Sequence, residues 1–171
     1  MKLAVCVFVF ALAGAAGAER NDNDYDAQGY VLFGVGGCSI GVGQWIHAGC
    51  GTVLNLSGGG EGFVYRGLAA GGESGYGWIS GSFTQGVGMF SVNPAYHFKG
   101  RNRSRAVVPF VTGGYTMLFR DGHLNGFNAG GGATWWPGVH FGLRFEGRIH
   151  HFGMGPLGAN VYMFRIGPSF R

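Results

Sequence analysis

Charge is scarce in this chain: Asp, Glu, Lys and Arg supply 12% of its 171 residues, against 15% aromatic residues and 37 glycines. Low charge combined with many aromatics excludes an intrinsically disordered segment. The strict three-residue glycine period of collagen is missing, and a flexible glycine linker would lack the Phe, Tyr and Trp. Beyond the N-terminus no run reaches the roughly eighteen apolar residues that a spanning helix needs, so a helical membrane protein is excluded. Cysteine is nearly absent as well, confined to Cys6, Cys38 and Cys50.

What is present starts with a three-part export pattern. Lys2 is a positive n-region, residues 3–12 are an apolar core, and Ala16-Gly17-Ala18 is a small-x-small cleavage site. We expect residues 1–18 to be removed as a signal peptide, which leaves 153 residues (171 − 18), the size of one domain. Cys6 falls in this segment as a small apolar residue. Residues 19–28 (ERNDNDYDAQ) set four acids against Arg20 and form a polar periplasmic N-terminal segment; the domain proper is expected over 29–171. The remainder is basic, with Arg101, Arg103 and Arg105 clustered. That balance raises nucleic acid as a partner, but an exported chain with one short basic turn argues against it.

Period-two alternation runs through most of the chain, the mark of strands with two chemically different faces. It is clearest over 139–151, where Phe141, Leu143, Phe145 and Ile149 share one parity and Arg144, Glu146, Arg148 and His150 the other. Similar alternation covers 68–79, 90–99, 107–119, 126–136 and the last segment, where Tyr162, Phe164, Ile166 and Phe170 share a parity. Residues 28–37 and roughly 53–65 complete a set of eight strands, the parity of the latter left open. Each has about ten residues, enough to cross the hydrocarbon of a bilayer at a tilt of about 40°. An even number of strands closes an antiparallel up-and-down barrel without edges. The fold expected is therefore all-β, an eight-stranded antiparallel up-and-down transmembrane β-barrel.

The joints agree with this count. Arg66-Gly67, residues 100–105, Asp121-Gly122, Pro137-Gly138 and residues 153–158 carry turn residues. Pro94 lies inside a strand and removes a ladder donor, so a bulge is expected there. Glycines on inward parity, Gly71, Gly75, Gly130 and Gly132, leave room in a narrow bore for long charged side chains, or ease strand curvature.

With the strands in place, the chain resembles the OmpA/OmpX-like small outer-membrane β-barrel family. The motifs that carry the likeness lie in residues 108–152: PFVTGGY, the turn FRDG, FN-x-GGG, and GLR-x-E-x-R, in that order. The likeness extends over about residues 28–171 and concerns architecture rather than activity. It implies location in a Gram-negative type outer membrane, among outer-membrane lipid and lipopolysaccharide, after insertion by the outer-membrane assembly machinery. Tyr162, Phe164, Ile166 and Phe170 would be the C-terminal insertion signal, although Arg171 follows Phe170 and Pro168 interrupts the apolar parity. The likeness covers the barrel and not the peptidoglycan-binding domain that follows some such barrels, so wall tethering is not expected.

Inward parity brings together Glu73, Arg144, Glu146, Arg148 and Arg165, with Glu61 and His150 as further members. Unpaired buried charge is costly, so cross-pairing in the bore is expected. Eight strands leave room only for side chains, which favours an ionic plug over a narrow pore. Cys38 and Cys50 lie in the longest connection, residues 38–52, where export permits a disulfide; two free thiols in a loop are the alternative. Trp45, Ile46 and His47 in that loop are candidate ligand contacts of weak standing.

Metal and cofactor sites are not implied. His150 and His151 point to opposite faces, and the Asp22-x-Asp24-x-Asp26 run places Ala27 and Phe33 where a calcium loop needs Gly and Glu. The glycine-rich residues 34–43 lack a phosphate-cradling context. Ser91, His97 and Glu73 can be imagined as a hydrolase set, but no spacing supports them, so a non-enzymatic protein is expected. Trp135, Trp136, Trp78, Tyr76, Phe119 and Phe98 are candidates for interfacial girdles. The contending reading is a secreted soluble β-barrel that binds a small apolar ligand, which would turn its apolar face inward.

Overall fold

Alternating side-chain chemistry dictates strands whose two faces meet different surroundings, and the computed structural model resolves into eight of them. It describes residues 27–42, 46–98, 107–154 and 157–171. The elements are β1 (Ala27–Val42), β2 (Ile46–Tyr65), β3 (Leu68–Ile79), β4 (Val87–His97), β5 (Val107–Phe119), β6 (His123–Trp135), β7 (Phe141–Met154) and β8 (Leu157–Phe170). Each is antiparallel to its sequence neighbours, and β1 pairs with β8 to close the barrel. One short 3-10 turn, Phe83–Gln85, interrupts the β3–β4 connection. β1 begins at Ala27, so Gln28 belongs to the barrel wall rather than to the polar segment before it. The segment expected as a signal peptide lies outside the described residues, as do Trp45 and the Arg101, Arg103, Arg105 cluster.

An even strand count puts both ends of the barrel chain on one side, here the terminus side, with the β1–β2, β3–β4, β5–β6 and β7–β8 hairpins on the other. The tight β2–β3 connection is the two-residue turn Arg66-Gly67, with φ of 41° and 93°. Two consecutive positive φ values match the twist of the flanking strands, and glycine adopts the second without strain.

Three expectations about the strands are corrected. Residues 38–42 and 46–52 are strand rather than loop: β1 and β2 stay paired from Ala27↔Gly62 up to Val42↔Ile46, with one irregularity between Cys38 and Ser39. Pro94 makes no bulge. Its register against β3 is unbroken, and against β5 it is the same on either side of two missing pairs (Val92↔Tyr115, then Ala95↔Thr112). In an antiparallel strand a residue's N–H and C=O face the same neighbour, so the missing donor affects β5 alone. The Pro94 carbonyl instead accepts from the Thr112 hydroxyl at 3.1 Å. Third, β2 has a definite parity, with Asn55, Ser57 and Glu61 buried and Leu56 exposed.

Side-chain exposure alternates round the whole barrel and is inverted relative to a water-soluble protein. Leu56 (52%), Phe164 (54%) and Phe127 (72%) are exposed, whereas Arg144 (1%) and Arg165 (0%) are buried. Inward glycines permit this filling. A Cβ on Gly132 would overlap the Phe145 carbonyl, and one on Gly167 the Val31 carbonyl. Outward Gly58 is different: a Cβ there would meet nothing nearer than 3.7 Å.

Candidate functional site

The inward faces build a layered interior. Nearest the terminus side is an apolar stopper of Phe63, Val108 and Trp136, with the Arg171 guanidinium 4.4 Å from the Trp136 ring centroid. The His97 ring sits 5.0 Å from Phe63 and 5.3 Å from Phe110. Trp136 is therefore a lumen residue and not a girdle residue, because it follows outward-facing Trp135 by one position; Trp135, Phe119 and Phe98 do face outward.

Above the stopper lies the ionic cluster. Arg144 is held between the rings of Tyr30 (4.4 Å) and Phe110 (3.9 Å), and it pairs with Glu61 at 2.7 Å and Glu146 at 3.1 Å. Arg148 pairs with Glu146 at 2.5 Å and Glu73 at 3.3 Å. Arg165 pairs with Glu146 at 2.6 Å and closely with Glu73. Glu146 thus receives all three guanidiniums, because its strand neighbours Arg144 and Arg148 share its inward parity and β8 registers Arg165 directly opposite. Gln28 donates to Glu61, and the Tyr30 hydroxyl donates to Glu73 at 3.3 Å. Glu61, Glu73, Arg144, Glu146, Arg148 and Arg165 meet in this cluster, whereas His150 lies in the layer beyond it. Three arginines against three glutamates leave no net charge, so the cluster has no fixed charge with which to select ions.

A neutral polar layer follows. The Ser91 and Thr116 hydroxyls are 2.8 Å apart, Asn128 donates to Thr116 at 2.8 Å and is bonded to Asn93 at 2.8 Å, and His150 Nδ1 lies 3.2 Å from Thr116 Oγ1. The imagined hydrolase set does not assemble: Ser91 bonds Thr116, His97 Nε2 lies 3.1 Å from Glu61, and Glu73 belongs to Arg148 and Arg165. His150 is buried and His151 is exposed, on opposite faces of β7. Among the described residues no group of three or more His, Cys, Asp or Glu could hold a metal ion.

Sequence reasoning missed Tyr30, Phe110, Asn93 and Asn128. The signal was available in their parity, but an aromatic or amide on an inward face carries no distinctive spacing. Cys38 and Cys50 are bonded to each other across the β1–β2 ladder, with Cα atoms 5.3 Å apart. Tyr162, Phe164, Ile166 and Phe170 all face outward and are exposed.

A closed eight-stranded antiparallel barrel with an apolar exterior and buried ion pairs in its interior is the class that this fold defines. Among solved structures the chain is similar to the N-terminal β-barrel domain of Pseudomonas aeruginosa OprF, with a TM-score of 0.57 and 14% identity over 85% of this chain and 96% of that one. It is also similar to Neisserial surface protein A (TM-score 0.55, 9% identity, 83% and 96% covered). A third likeness is to the outer membrane enzyme PagL (TM-score 0.50, 17% identity, 83% and 99% covered). At these identities the likeness is one of fold. No protein-family model matches the chain, and no curated relative does.

Proposed function

We propose that the chain is an integral outer-membrane β-barrel with a structural or interaction role, its lumen filled by an ionic plug. The observation that carries this reading is the inversion of its faces. A belt of exposed Val, Leu, Ile and Phe surrounds the barrel while six charged side chains are buried inside. Water does not tolerate so large a continuous apolar surface, whereas a bilayer requires it. At about 3.3 Å per residue, the outward run from Phe141 to Ile149 reaches about 26 Å along β7, or roughly 20 Å at a tilt of about 40°. Polar side chains bound this belt on the hairpin side: His151 with Asn160 at 2.8 Å, and Asn125 with Tyr115 at 2.6 Å. Rings gather at both ends, Phe141 with Phe170 (5.8 Å) and Tyr76 with Trp78 (6.0 Å), where amphipathic girdles belong. A soluble barrel with an apolar ligand core would have the opposite parity.

Membership in the outer membrane brings lipid and lipopolysaccharide as surroundings, and the outward set Tyr162, Phe164, Ile166 and Phe170 suits an insertion signal read by the assembly machinery. Export requires loss of residues 1–18; the mass of the mature protein, beginning at Glu19, checks this. We read the protein as non-enzymatic, since Ser91, His97 and Glu73 are each engaged with other partners.

Planar-bilayer recordings test the plug. The expected outcome is no steady conductance from the wild type, and sporadic openings from Glu73→Ala, which leaves Arg148 and Arg165 short of a partner. A steady, ion-selective wild-type channel would overturn it.

A further inference from the structure

The outward face of the barrel carries a groove as well as ridges. Two successive outward rows cross β1, β8, β7 and β6 beside the hairpin-side boundary of the belt: Val35–Phe164–Gly147 and Gly37–Tyr162–Ile149–Ala129. Val35, Phe164, Tyr162 and Ile149 stand exposed on the wall. Gly37 and Gly147 between them contribute no side chain, and these residues line an open, mainly apolar groove of about 550 Å³.

Packing does not require those two glycines. A Cβ on Gly37 would meet nothing within 4 Å, and one on Gly147 nothing nearer than the Gly131 carbonyl at 4.0 Å. The register through Gly147 is unbroken on both sides, so no bulge accounts for it. A glycine inside a strand weakens it and often marks a place where a ligand approaches the backbone closely.

One row nearer the hairpins the same strands turn polar, with His151 opposite Asn160 and Asn160 opposite Ser39. His151 Nδ1 lies 2.8 Å from Asn160 Oδ1. That oxygen can only accept, so the neutral imidazole carries its proton on Nδ1 and Nε2 is an acceptor. The Asn160 amide nitrogen and the Ser39 hydroxyl are donors. Exposed Phe127, registered against His151, adds a ring face. An apolar groove that ends at a polar row on the edge of the belt has the profile of an amphiphile lying along the wall. Of the headgroups a membrane offers, a phosphate only accepts and gives nothing to Nε2, whereas sugar hydroxyls both donate and accept.

We propose that this groove holds one acyl chain of an outer-leaflet glycolipid, whose sugar hydroxyls bind His151, Asn160 and Ser39. This site rests on the outer-membrane reading, in which the hairpin side meets the outer leaflet. It adds a fixed lipid at one place on the wall.

Native mass spectrometry of the barrel released from an uncharged detergent counts the lipid retained. The probes are lipid A, a phosphorylated glycolipid, and dimyristoyl phosphatidic acid, which has the phosphate and no sugar. We expect saturable retention of one lipid A per wild-type barrel, and affinity for phosphatidic acid lower by about tenfold, the equivalent of about two modest hydrogen bonds. Gly147→Phe, which fills the groove, is expected to abolish retention. Gly58→Phe, on an outward position outside the groove, is expected to keep it. His151→Ala combined with Asn160→Ala is expected to bring lipid A down to the affinity of phosphatidic acid. Heat-modifiable migration on a denaturing gel shows that each variant is folded. Equal wild-type affinity for the two probes, no retention of lipid A, or equal retention by Gly147→Phe and Gly58→Phe would overturn the proposal. The wild-type comparison stands even if a variant does not fold. Oxygen accessibility of the exterior tests the membrane reading by itself, so a lipid-embedded barrel that retains no lipid A would sink the groove alone.

Discussion

At the residue scale, the interior is governed by volume and by charge pairing. Gly132 lies so close to the Phe145 carbonyl that a methyl group forces the two strands apart, while a methyl group at outward Gly58 meets nothing nearer than the Tyr30 carbonyl at 3.7 Å. Gly132→Ala is therefore expected to destabilise by about 1–3 kcal/mol. Gly58→Ala should change stability by less than about 0.5 kcal/mol. Urea unfolding in lipid vesicles, followed by tryptophan fluorescence, compares them; equal effects would show that lumen crowding is not what selects glycine. Glu146 accepts from three guanidiniums in a site without water access. Removing one member of a buried ionic group leaves the others uncompensated, so Glu146→Gln is expected to cost about 3–5 kcal/mol by the same assay. Conservative trimming of the exterior, as in Phe164→Leu, should cost far less.

At the element scale, the upper part of β1 and β2 is held by the Cys38–Cys50 bond in addition to the ladder. No thiol should react with an alkylating reagent until reductant is added, and Cys38→Ser with Cys50→Ser should lower amide protection in residues 38–52. A closed loop of this length contributes about 2–3 kcal/mol. Two reactive cysteines in the untreated protein would contradict it. Pro94→Val should add protected amides facing β5 without shifting register, because the pairs on either side already share one register.

The strands were legible wherever one face is continuously apolar, as in residues 139–151, since period two admits no other element. β2 was not: Ser57, Gly58, Gly59 and Gly60 have no contrast between faces, so only pairing to β1 and β3 sets their parity. The glycines of residues 38–52 suggested a loop, yet paired backbone needs no side-chain pattern once it rises past the apolar belt. The ionic cluster could be read from parity alone. Its neutral partners Asn93 and Asn128, and the aromatic walls around Arg144, became visible only when strands distant in sequence were brought round the bore.

At the scale of the whole molecule, one fact organises the rest: the barrel is inside out. Its charges neutralise each other within, its apolar side chains face outward, and its closed ladder leaves no strand edge across the belt. Only a nonpolar surrounding makes that arrangement stable. The most direct measurement places a nitroxide label, one at a time, at Phe145, Phe164 and Ile166 in the lipid-reconstituted protein. Broadening by oxygen, which concentrates in hydrocarbon, is expected at all three positions, and none by a water-soluble nickel chelate. Efficient collision with the nickel chelate at these outward positions, or recovery of the protein from the soluble periplasm without detergent, would contradict it.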